Sequence, residues 1–135
     1  MYGTADLGAM AHETPLSILV RRLVAEQPGL HENIFAYPHK LPTFTQYIPE
    51  LYFFEEVDGR LVCSSPGGIP LVRYDLKDRG EVWVYDALLT RLSESGIDVS
   101  QEMQRRNIPH AMWHLPFVSV YERNDFTVSI YSVNI

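Results

Sequence analysis

This sequence holds a single cysteine, no basic excess and no long apolar run. Cys63 alone excludes an internal disulfide and any zinc site built from several cysteines, the usage expected in a reducing cytosol. Lys and Arg number 11 against 17 Asp and Glu, a net charge of −6, and no long basic run interrupts that balance. Nucleic acid and anionic membrane surfaces are therefore poor partners. A small phosphate-bearing ligand is not excluded, because it needs only one local pocket of the other sign. No apolar segment reaches the length of a bilayer span, and no basic stretch followed by an apolar one opens the chain. The expectation is a cytoplasmic protein with no export signal.

What is present is an ordinary globular composition. With 135 residues, 46% of them hydrophobic and 21% charged, the chain has enough apolar surface for one domain with a real core. The best helix signal begins at Thr14, a suitable N-cap, followed by Pro15 at the first helical position. Leu16, Leu19, Val20, Leu23 and Val24 then recur at helical spacing until Pro28-Gly29 ends the run. A short second helix is expected over about Leu30 to Ala36, then a connection from Tyr37 to Thr45.

The period changes after that. Leu51 to Val57 and Arg60 to Ser64, separated by Asp58-Gly59, read as a hairpin with a tight turn. Ser64 to Gly68 is a glycine-rich loop without the Lys and following helix that a phosphate-cradling loop requires. Glu81 to Val84 reads as a strand. Tyr85, Leu88, Leu89 and Leu92 line a helix ended by Gly96, and Asp98 or Ser100 caps another from Gln101 to Arg106. Phe117 to Tyr121 and Phe126 to Tyr131 read as strands joined by a loop at Glu122 to Asp125. Tight turns between most strands imply a largely antiparallel sheet, hence an α+β fold. A small distorted, barrel-like sheet with flanking helices is the expected architecture.

The stretch Ile69 to Gly80 stands apart. Ile69, Leu71 and Val72 form an apolar run closed by Arg73 and Tyr74, and the polar residues from Asp75 to Gly80 read as a turn. On residue type, Asp78 either caps that turn in solvent or offers a fixed acceptor to a ligand's hydroxyls. Arg73-Tyr74 with Asp78 four residues on, Glu122-Arg123-Asn124-Asp125, and Tyr2-Gly3-Thr4-Ala5-Asp6 together resemble three ordered motifs of the adenylate-forming enzymes. The branch they are most similar to is the phenylacetate–CoA ligase-like acyl-CoA ligases. The resemblance implies an adenosine-binding subregion in a distorted β-barrel, the last part of the large domain, without the phosphate loop or the lid domain.

That resemblance also implies roles. Asp78 and Arg123 hold the ribose of ATP or AMP, Tyr2 lies by the adenine, Asp6 helps bind Mg²⁺, and Asp125 is the hinge for the lid. The complete enzyme joins a carboxylic acid to CoA through an acyl-adenylate. This chain supplies no catalytic residue, because the phosphate loop and C-terminal lysine are not in it. The motifs depart from the family pattern at Ala5 and Asp6, usually Ser or Thr then Glu, and at Glu122, usually Gly. The alternative reading is a non-catalytic α+β module that associates with itself or with the rest of such an enzyme. His110 and His114 have a helical metal-pair spacing, which Pro109 and Pro116 oppose. His12, His31 and His39 read as surface residues, and Cys63 as a small buried hydrophobe.

Overall fold

A computed structural model describes residues 1–4, 7–37, 40–66, 70–108 and 113–123. The chain starts as a hairpin of β1 (Tyr2–Thr4) and β2 (Gly8–Ala11). Helix α1 (Pro15–Glu26) begins where its signals place it. Thr14 Oγ1 accepts from Ser17 N–H, Ser17 Oγ accepts from Thr14 N–H, and Pro15 occupies the first turn. Leu16, Leu19, Val20, Leu23 and Val24 are all buried. Pro28 does not simply end this helix; it opens α2 (Pro28–Ile34), because a proline that cannot continue one helix suits the first turn of the next.

Five strands make the main sheet, in the order β3-β7-β6-β5-β4, with every pairing antiparallel. They are β3 (Thr43–Gln46), β4 (Phe53–Val57), β5 (Arg60–Ser65), β6 (Leu71–Trp83) and β7 (Phe117–Arg123). Strand β3 lies in a stretch that reads as a connection, because Pro38 and Pro42 hide a four-residue strand. The β4–β5 hairpin turns at Asp58 (φ 53°) and Gly59 (φ 80°), the two left-handed positions its tight turn demands. The fold is α+β, as expected, but among the described residues the sheet stays open, with β3 and β4 as its edges, and does not close into a barrel.

Helices α3 (Tyr85–Glu94) and α4 (Val99–Arg105) complete the described elements, and Asp98 caps α4 by accepting from Gln101 N–H at 3.1 Å. Successive residues of β7 divide the core: Phe117 packs with α1 to α4, while Val118 packs with the β1–β2 hairpin. Gln46 ties the two sides together. Its amide donates to the carbonyls of Trp113 and Leu115, each at 3.0 Å, and its side-chain oxygen accepts from the Thr14 hydroxyl. No helix is long and apolar enough to cross a membrane among the described residues.

Candidate functional site around Asp78

The segment read as strand, turn and second strand is one 13-residue strand, β6. Two bulges reconcile the polar residues with the ladder. Between the pairs Arg60↔Arg79 and Val62↔Asp75, Leu61 alone faces Leu76, Lys77 and Asp78. Lys77 takes φ 61° there, and its N–H donates to Asp75 Oδ1 at 2.9 Å. A smaller bulge carries Arg73 at φ 50°. Bulges re-aim side chains, and left-handed φ at a lysine or arginine carries local strain that the surrounding ladder must hold.

The consequence is the placement of Asp78. Leu76, Asp78 and Gly80 alternate inward, so a carboxylate occupies a core position and is only 5% exposed. The solvated turn-cap reading is overturned: Asp78 lies in a strand and is buried. At Gly80 a Cβ would meet Ser119 O at 2.0 Å and Leu61 Cδ1 at 2.7 Å, so β7 and β5 close tightly on β6 beside the acid.

Tyr2 reaches this carboxylate from the other end of the chain. Its hydroxyl donates to Asp78 Oδ2 at 2.5 Å, and its ring stacks on Phe54 with centroids 5.8 Å apart. A carboxylate has about four acceptor positions, and the phenol occupies one of them. Burial of such a group is costly unless its acceptors are used. Arg123 is the register partner of Asp78 across β6 and β7, so its backbone lies beside the strand position that carries the acid. Glu122 and Arg123, expected in a loop, belong to β7, and Asn124 and Asp125 lie outside the described residues.

Asp6 and Asp125 lie outside the described residues, as do His39, His110 and the expected strand Phe126–Tyr131. No group of three or more His, Cys, Asp or Glu suited to a metal occurs among the described residues. His12 is exposed, His31 is half-buried with its ring nitrogen 2.7 Å from Tyr37 O, and His114 is exposed and stacks on Tyr85.

Reading the sequence missed a second polar cluster, on the helical side of the sheet. Glu81 accepts from Tyr121 Oη at 2.5 Å, from Ser119 Oγ at 3.1 Å and from Ala36 N–H at 3.1 Å. Burial and the bond to Glu81 push the Tyr121 phenol well above its ordinary range. The only available signal was an acid in a strand otherwise reading as apolar. Below Tyr2, burial pushes the Cys63 thiol up to about 11 and the Tyr47 phenol up to about 12, as expected for a structural cysteine rather than a nucleophile.

Among the described residues, clefts lie elsewhere on the surface: one of about 720 Å³ bordered by Met10, His12, Ile48, Leu51 and Trp113, one of about 520 Å³ at Leu89, Ser93, Ile97 and Val99, and one of about 430 Å³ between Phe53, Val84, Tyr85 and His114. Asp78 lines none of these three. No family model matches this chain, and no curated protein sequence and no solved structure matches it either.

Proposed function

We propose that this chain is the adenosine-binding portion of an adenylate-forming carboxylate–CoA ligase of the phenylacetate–CoA ligase-like kind, inactive alone. The observation that carries the reading is the buried Asp78 carboxylate, set inward by a bulge, bonded to Tyr2 and in register with Arg123. A fold gains little from an acid at a core position, whereas a ribose needs an acceptor held still for two adjacent hydroxyls. In this role Asp78 accepts from the sugar of ATP or AMP, and Arg123 donates to its oxygens. The hinge at Asp125 belongs to the same proposal. In the complete enzyme, Mg²⁺ near Asp6 would offset charge at the phosphates, and a carboxylic acid and CoA are the other substrates. A single buried cysteine suits a cytoplasmic setting.

The test is a titration of AMP, with and without Mg²⁺, into isotope-labelled protein, with amide shifts as the readout and Asp78→Ala as control. Shifts centred on Tyr2, Asp78 and Arg123 that vanish in the variant are expected. A wild-type spectrum that ignores AMP would overturn the reading.

A second reading, a non-catalytic association module, draws on a different observation. Ile48, Leu51, Phe53 and Trp113 are about half exposed, at 46%, 53%, 49% and 53%, and Phe53 lies on the edge strand β4. The apolar face of α1 does not contribute, because it is buried. Sedimentation across a concentration series distinguishes this reading: self-association abolished by Phe53→Glu favours the module.

A further inference from the structure

The resemblance gives Tyr2 a place beside the adenine base, a role for the face of its ring. The geometry places that ring elsewhere. Tyr2 is 8% exposed and packed on Phe54 within the core under β1 and β2, while its hydroxyl ends on Asp78. A buried aspartate has two soft side-chain torsions, and its carboxylate can turn unless something holds it. Leu61, opposite Asp78 at the bulge, offers no directional contact. The phenol does, and bonds from a donor to a charged acceptor are the strong, short ones.

We infer that Tyr2 is a positioning residue: its hydroxyl fixes the rotation of the Asp78 carboxylate for a ligand's vicinal hydroxyls. The inference rests on the ribose-binding reading and deepens it, by assigning Tyr2 to sugar selection in place of base stacking. It also explains why a residue 76 positions away in sequence is drawn to this acid. Tyr2 loses nothing of its ring in phenylalanine, so Tyr2→Phe removes the donor alone.

The experiment compares two ligands, AMP and 2′,3′-dideoxy-AMP, on wild-type protein, Tyr2→Phe and Asp78→Asn, each checked for intact folding by its amide spectrum. Wild type should prefer AMP to the dideoxy nucleotide. Tyr2→Phe should bind AMP about tenfold more weakly, the size of one charge-assisted hydrogen bond, with dideoxy-AMP affinity unchanged. Asp78→Asn should lose the preference as well. Equal weakening of both ligands by Tyr2→Phe would mean that Tyr2 supports the fold or the base and not the sugar, and overturns the inference. So would a Tyr2→Phe protein that discriminates as wild type does. Failure of wild type to bind either nucleotide would overturn the ribose-binding reading and this inference with it, a result distinct from both of the others.

Discussion

The two faces of the main sheet are filled differently. On one, α1 to α4 pack Leu16, Leu19, Leu23, Leu88, Leu92 and Met103 against Phe44 and Phe117, and the hydrogen-bonded group of Glu81, Ser119 and Tyr121 borders that core. On the other, the β1–β2 hairpin covers Leu61, Leu76 and Val118 together with a thiol, two phenols and the Asp78 carboxylate. The helical face follows the ordinary rule that side chains with nothing to hydrogen-bond are the ones removed from water. The hairpin face holds Asp78, the one charged side chain among the buried residues described, beside a bulge with Lys77 in the left-handed region. A departure of this kind from consistent packing is where function is sought first.

Three measurements sharpen or break that contrast. The largest effect belongs to the helical face: Leu19→Ala, at a fully buried position, should cost about 3 kcal/mol in urea unfolding. It should leave Asp78 chemistry untouched in any properly folded fraction. A cost below about 1 kcal/mol would show that the helical face is loosely packed and not the main source of stability.

Alkaline pH should act on both faces, because burial raises the Tyr121 and Tyr85 phenols on the helical side as well as Cys63 and Tyr47 on the hairpin side. The folded-state values of Cys63 and Tyr47, about 11 and about 12, lie above their ordinary 9 and 10. Groups raised on folding contribute stability that is complete below the unfolded values and is lost as pH rises through the folded ones. Stability measured from pH 8 upward should therefore hold to about pH 9 and fall beyond it. A Tyr47→Phe variant should fall less steeply above pH 10 than wild type, since 10 is the ordinary tyrosine value. Parallel curves would show that the phenol is not buried as described.

The smallest change in stability is expected from the most drastic change in character. Tyr2→Phe combined with Asp78→Leu replaces both partners of the buried bond by apolar groups. Such exchanges are close to neutral, so unfolding free energy should stay within about 1 kcal/mol of wild type. AMP should no longer shift the spectrum. A loss of several kcal/mol would make Asp78 a structural group and dissolve the contrast between the two faces.

Much of the local structure was legible in the residues. Thr14 and Pro15 start α1 because they satisfy and pre-shape a first turn, and Asp58-Gly59 makes a hairpin because both residues accept positive φ. Asp98 as the cap of α4 and Gly96 past α3 follow from the same short-range chemistry. The first hairpin, β1–β2, and the short β3 were not legible. Their strands are three or four residues long, too short for alternation to register, and their pairing depends on contacts distant in sequence.

The site divides along the same line. Asp78 and Tyr2 stood out through the motifs they resemble, but their meeting did not, since nothing local joins residues 76 apart. The residues by themselves determined the caps, the turns, the helix faces and the antiparallel α+β class, because those depend on neighbours within about one turn or one hairpin. Only the tertiary structure decided that Asp75 to Gly80 is strand and not turn, and that its aspartate faces inward. The reason is that a bulge is defined by the partner strand: Leu61 opposite three residues of β6 sets the direction of Asp78, and no pattern within β6 alone carries that information.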